Sequence, residues 1–186
     1  MRGWTLVSER KLASYPLISL KERTLRNDAT GVTIPFVVAH LSDWVNVVAI
    51  TRERKVVFVE QGRAGMDAVT LEIAGGTIED GEDPRRAAER EMLEETGYRA
   101  GSLEYLGKVA VNPAFQDNWC HFFLATECEV VCSPHPDPGE DVAVKLMDVD
   151  DVEKAIDDGR IVHSLGILGL LKALRWQAQH GSRASR

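Results

Sequence analysis

The stretch from Gly75 to Tyr98, GGTIEDGEDPRRAAEREMLEETGY, constrains this chain more than any other. A glycine pair leads into an acidic loop. Asp83 and Pro84 then occupy the places favoured for an N-cap and a first helical residue, and Gly97 sits where a helix stops. The spacing predicts a helix over roughly Pro84 to Thr96. At about 100° per residue, Glu91, Glu94 and Glu95 fall within an arc of about 100° on its surface. From Glu79 to Glu95 eight acids stand against three arginines, so this segment carries −5 of the chain's net −7. Carboxylates crowded in this way need a counter-charge, and hard divalent cations such as Mg2+ or Mn2+ are its natural source. A solvated helix face would account for three glutamates alone. It does not account for glycines, acids and an arginine all at set places.

Read in order, Gly76, five residues, Glu82, seven residues, then Arg90-Glu91-Met92-Leu93-Glu94-Glu95-Thr96-Gly97-Tyr98 is similar to the Nudix box, which constrains nine positions over 23 residues. The chain therefore resembles a Nudix hydrolase. That resemblance implies an α/β/α sandwich around a mixed sheet, and metal-assisted hydrolysis of a diphosphate linkage. It puts metal ligands at Glu91, Glu95 and the carbonyl of Gly75, with Glu94 as a further ligand or a base. Arg90 takes the place of the arginine that holds a glutamate by an ion pair; simple i,i+4 pairing with Glu94 is compatible with this. Glu82 is a lesser candidate, for metal or for the turn. Gly75 and Gly76 have a physical reason, since the loop must bring its backbone close to metal and phosphate. One departure is Ala74, where the family usually carries proline before the glycines.

Features outside the box resemble the ADP-ribose and nucleotide-sugar pyrophosphatase branch. Gln61-Gly62-Arg63 is similar to its Q-x-R segment and offers Arg63 as a phosphate ligand, against an ordinary exposed loop arginine. Pro113 lies sixteen residues beyond Gly97, where ADP-ribose enzymes carry a proline. The branch draws a general base from a late loop, and Glu140 stands at the matching place, with Asp141 its close competitor. Trp4, Trp44, Phe115 and Trp119 are candidates for stacking on a base, although an aromatic in a strand is more often core. The expected substrate is ADP-ribose or a related nucleotide sugar. A nucleoside triphosphate pyrophosphatase and a non-hydrolytic nucleotide sensor are the alternatives.

The rest of the chain fits one well-buried core. Residues 1–41 read as three antiparallel strands with one apolar face that needs covering, an element the branch commonly exchanges across a homodimer. Residues 42–180 read as the Nudix domain and 181–186 as a tail. Within that domain a hairpin of Trp44 to Thr51 and Val56 to Gln61 sits at the heart of the core. Strands follow over Val69–Ala74, Ser102–Val111, Trp119–Val131 and Val142–Met147, and helices over Val149–Asp158 and Ser164–His180, the last with Leu165, Leu168, Leu171 and Leu174 at helical spacing. A net charge of −7 gives no general attraction to nucleic acid or an anionic membrane. No apolar run spans a bilayer and no secretory start is visible, so the cytoplasm is expected. Cys120, Cys128 and Cys132 suit a reducing compartment; Cys128 and Cys132 with His135 spell C-x3-C-x2-H, but no fourth zinc ligand is near.

Overall fold

The computed structural model describes residues 2–136 and 141–180. It forms two compact units, Met1–Asp43 with Val109–Trp119, and Trp44–Lys108 with Cys120–Arg186.

In the first unit, β1 (Trp4–Ser14), β2 (Ser19–Asn27) and β3 (Thr33–His40) make an antiparallel sheet in that order. The turn after β2 is set by Asn27, whose side-chain oxygen accepts from the N–H groups of Ala29 and Thr30 at 3.0 and 3.1 Å, while Gly31 supplies a φ of 71°. Leu6, Leu25 and Ile34 are in register across the three strands. Leu6, Val7, Leu12, Ile34 and Val37 are all exposed. The segment 109–119 is tied to β3 through Ala39, whose N–H donates to the Phe115 carbonyl at 2.7 Å, and through His40, 2.8 Å from Asp117.

The second unit is a mixed sheet between helices. Its strands are β4 (Trp44–Thr51), β5 (Lys55–Arg63), β6 (Ala68–Thr77), β7 (Tyr98–Arg99), β8 (Ser102–Ala110), β9 (Trp119–Val130) and β10 (Val142–Asp148). They run in the order β10-β5-β6-β4-β9-β7, with β8 on β9; β4 and β9 pair in parallel. Helix α1 (Pro84–Thr96) lies on one face; α2 (Val152–Asp157) and α3 (Ser164–His180) lie on the other. Period-two alternation assigns the faces. Val47, Ala49, Val57 and Ala74 pack with Ala87, Ala88 and Met92 of α1. Their neighbours Val48, Ile50, Val56, Phe58 and Ile73 pack with Val152, Ala155, Leu170 and Ala173. This is the expected α/β/α arrangement.

Two local readings need correction. The β4–β5 hairpin pairs only at Ala49↔Val57 and Ile50↔Val56; beyond that the strands part and β6 enters the fork. Strand β6 is antiparallel to β5 from Ala68 to Ile73, and antiparallel to β4 from Ala74 to Thr77. Because β4 and β5 are themselves antiparallel, β6 satisfies both only by bending at Ile73–Ala74. The alternation of apolar residues carried no trace of that bend. The second correction concerns α3, whose buried face is Leu165, Gly166, Gly169, Leu170 and Ala173, with Leu171 46% exposed. The glycines let the helix approach the sheet closely, which turns the expected leucine stripe partly outward.

At Gly169 an added Cβ would stand 2.8 Å from Ile73 Cδ1 and 3.1 Å from Phe122 Cδ1. Gly169→Val is expected to cost about 1–3 kcal/mol by overpacking. At about 2–4 °C per kcal/mol for a chain of this size, a calorimetric Tm should fall by several degrees.

Candidate active site

Helix α1 begins as its sequence dictates. Asp83 accepts from the N–H groups of Arg85 and Arg86 at 2.9 and 3.4 Å, Pro84 takes the first turn, and Gly97 closes the helix at φ 72°. With both ends held, the acidic face is presented as a rigid row.

Arg90 is the centre of that row. Its Nε and Nη2 grip Glu82 at 3.0 and 2.9 Å, and its Nη1 reaches Glu91 at 2.8 Å and Glu94 at 3.1 Å. Nη2 also donates to the Thr77 carbonyl at 3.0 Å, tying the helix to the end of β6. Hydrogen bonds to Glu82, with support from Glu91 and Glu94, hold Arg90 protonated well above its ordinary range against the opposing effect of burial. The same pair holds the Glu82 carboxyl below the usual range. Both readings of Arg90 are therefore realised, and Glu82 both braces the turn, accepting from the Glu79 N–H at 3.0 Å, and anchors the arginine.

Glu95 is buried at 2% exposure, and its Oε2 accepts from the Gly75 N–H at 2.8 Å. Gly75 has no room for a side chain between Val45 and Asn46. A Cβ at Gly76 would lie 2.5 Å from the Glu91 carboxylate, so Glu91 rests directly on the glycine backbone. The structure thus brings Gly75, Gly76, Glu82, Arg90, Glu91, Glu94 and Glu95 together. Among the described residues no three acidic, cysteine or histidine side chains share one ion-binding point. Instead they converge on Arg90, whose single positive charge against Glu82, Glu91 and Glu94 leaves a surplus of two negatives before Glu95 is counted. All-oxygen donors with surplus negative charge fit a hard divalent cation.

Arg63 ends strand β5 and does not stand alone. Its Nε and Nη2 make a bidentate pair with Glu72 of β6, both at 2.8 Å. Thr70 Oγ1 donates to Glu72 Oε1 at 2.5 Å, and His163 Nδ1 lies 2.8 Å from Oε2. Burial opposes ionisation of Glu72, but Arg63, His163 and Thr70 outweigh it and hold the carboxyl far below its usual range. Gln61 is also buried, its Oε1 without a hydrogen-bond partner among the described residues. Thr70, Glu72 and His163 escaped the sequence reading, and Gln61 entered it only as part of the Q-x-R segment. The signal for Glu72 was a charge inside the apolar run Leu71-Glu72-Ile73-Ala74, which demands a partner; nothing in the sequence pointed to His163.

Pro113 is exposed in the first unit, in the loop held by β3. Glu140 and the tail 181–186 lie outside the described residues, and Asp141 is exposed. Trp4 packs edge-on against Phe36 at 6.0 Å; Phe115 and Trp119 are exposed, and Trp44 is half-buried. Cys128 is buried, its thiol pushed up to about 11 by burial, whereas Cys132 is exposed.

Residues 42–165 match the NUDIX domain family. The chain belongs to the Nudix hydrolase family. An ADP-ribose pyrophosphatase of Bacillus subtilis (strain 168) is 34% identical over 140 residues, 72% of this chain and 75% of that one. A methanol dehydrogenase activator of Bacillus methanolicus is 46% identical over 81 residues, and the match spans 44% of each chain. A crystal structure of an ADP compounds hydrolase superposes with a TM-score of 0.86 over 97% of both chains at 19% identity, a likeness of fold.

Two predictions follow from this geometry. Gly76→Ala should displace Glu91 and lower turnover about tenfold or more, a misplacement effect, with Tm shifted by a few degrees at most in a thermal melt. Glu72→Gln tests linkage. A carboxyl with a depressed folded-state value stabilises the fold above its unfolded value, and that share is lost as pH falls through the folded one. The stability gap between wild type and Glu72→Gln, from urea unfolding, should be constant near neutrality and start to narrow below the ordinary value of 4.5.

Proposed function

We propose that the protein is a Mg2+-dependent pyrophosphatase of ADP-ribose or a related nucleoside diphosphate sugar, with Mn2+ as a possible substitute. The products are a nucleoside monophosphate and a sugar phosphate. The observation that carries this reading is the row of carboxylates held on Arg90 with surplus negative charge, tied to the end of β6, the strand that also carries Glu72 of the Arg63 cluster. The Bacillus subtilis relative, named for ADP-ribose, supports the choice of substrate.

Glu91, Glu94, Glu95 and the Gly75 carbonyl would hold the cation. Once bound, it supplies charge neutralisation of the diphosphate and a water of lowered pKa. Arg90 keeps the carboxylates in place, and Gly76 gives the substrate close access to the backbone. Arg63 is the proposed phosphate ligand, and Pro113, by its place sixteen residues beyond Gly97, is a proposed substrate contact. Water adds to one phosphorus, the bridging P–O bond breaks, and the water's proton passes to a carboxylate. Glu94 and Glu140 are the proposed acceptors; Glu94 is the most exposed of the helix carboxylates paired to Arg90, at 33%.

The substrate is a small anionic nucleotide, not nucleic acid, in keeping with the net charge of −7. Residues 1–41 serve as the dimerisation element and 42–180 as the hydrolase domain. The exposed Leu6 and Ile34, in register through Leu25, support a homodimer. No helix among the described residues is long and apolar enough to cross a membrane. With three free cysteines, the cytoplasm is the proposed compartment.

The test is incubation with Mg2+ and a panel of ADP-ribose, nucleotide sugars and triphosphates, with products identified by chromatography. AMP from ADP-ribose, or a monophosphate from another nucleotide sugar, is expected. Pyrophosphate released from triphosphates alone would overturn the substrate assignment. Glu94→Gln and Glu95→Gln should each lower turnover by about 10²-fold or more with the fold intact by circular dichroism, the size of loss seen when charge stabilisation is removed.

A further inference from the structure

We propose that His163 is a positioning residue for Arg63, acting through Glu72; this rests on the reading of Arg63 as a phosphate ligand given above. Glu72 has two close partners on each oxygen. Oε1 meets Arg63 Nε at 2.8 Å and Thr70 Oγ1 at 2.5 Å, and Oε2 meets Arg63 Nη2 and His163 Nδ1, each at 2.8 Å. Because the Arg63 fork is bidentate, the plane of the carboxylate sets the plane of the guanidinium. Thr70 pins that plane from one edge and His163 from the other. Thr70 sits two residues from Glu72 on the same strand, whereas His163 comes from a different element 91 residues on.

His163 is itself well anchored. Its carbonyl accepts the Ile167 N–H at 2.9 Å, and Leu165 and Leu170 beyond it are buried in the core under α3. The imidazole therefore references the carboxylate to the packed helix across the sheet. The contact lies off the straight in-plane N–H direction, so it acts as an electrostatic brace on Oε2 more than as an ideal hydrogen bond.

The burial pattern separates positioning from simple cross-linking. A network that served only to join β5, β6 and α3 would gain most from burying both charges. Here the Glu72 side chain is 3% exposed but that of Arg63 is 41% exposed. The buried carboxylate thus presents a guanidinium at the surface, and rigid presentation is what a phosphate ligand needs.

The experiment compares steady-state kinetics on ADP-ribose for wild type, His163→Asn, His163→Leu, Arg63→Ala and the Arg63→Ala/His163→Leu pair, each with a melting curve. Asparagine keeps an N–H near the place of Nδ1; leucine does not. His163→Leu should raise KM about tenfold with kcat within about twofold, since phosphate binding is shared by ground and transition states. His163→Asn should restore KM to within about threefold of wild type. In the Arg63→Ala background His163→Leu should add nothing, because the path through Arg63 is already cut. A wild-type KM in folded His163→Leu, or an equal KM rise from His163→Leu with Arg63 present and absent, overturns the positioning role alone. If wild type cleaves no nucleoside diphosphate compound, the proposed function falls and this inference falls with it.

Discussion

The bend of β6 at Ile73–Ala74 is the constraint on which the rest depends. Three strands cannot be mutually antiparallel while straight, so β6 must follow β5 into the fork and leave along β4. That single turn does two things. Before it, Thr70 and Glu72 are set beside Arg63; after it, Gly75 and Gly76 are set beneath Glu95 and Glu91. Both polar clusters therefore hang on one ten-residue strand. Their spacing is determined by main-chain pairing and not by flexible loops, the arrangement that keeps a site within a fraction of an ångström.

The two clusters use arginine in opposite ways. Arg90 gathers several acids and is itself mostly enclosed, its side chain 28% exposed. Arg63 is held by one buried acid and stays nearer the surface. In the first case a cation organises carboxylates, and in the second a carboxylate organises a cation. Each solves the same difficulty, that a long side chain loses rotamer freedom when it is recruited by a ligand. Ordering it during folding moves that cost out of the binding step.

Much of this was legible in the sequence because its causes are local. Asp83, Pro84 and Gly97 mark the ends of α1 through capping chemistry that acts within four residues, and the observed helix has the expected bounds. The acidic row followed from helical spacing alone. What stayed hidden depends on partners far apart in the chain. Glu72 meets Arg63 nine residues away, but its link to His163 depends on the placement of α3. The face that α3 buries was only partly legible because glycines, which carry no hydrophobic signal, belong to it. The fork was invisible for a related reason: alternation shows which face a residue takes and not which neighbour it pairs with.

The carboxylates around Arg90 also differ in how tightly they are held, and that ranking bears on their division of labour. Glu95 is sealed beneath the sheet on the Gly75 N–H, and Glu82 carries both a bidentate arginine and a backbone donor. Glu91 is wedged between Gly76 and Arg90 at 13% exposure. None of these can turn without breaking a buried contact. Glu94 touches Arg90 through the longest ion pair of the set, 3.1 Å, and is the most exposed of the arginine's partners. A group that must accept a proton needs contact with water and the freedom to change partners, whereas a group that fixes geometry needs neither. By that measure the proposed division, with Glu91 and Glu95 for ligation and Glu94 for proton transfer, follows the order in which the carboxylates are held.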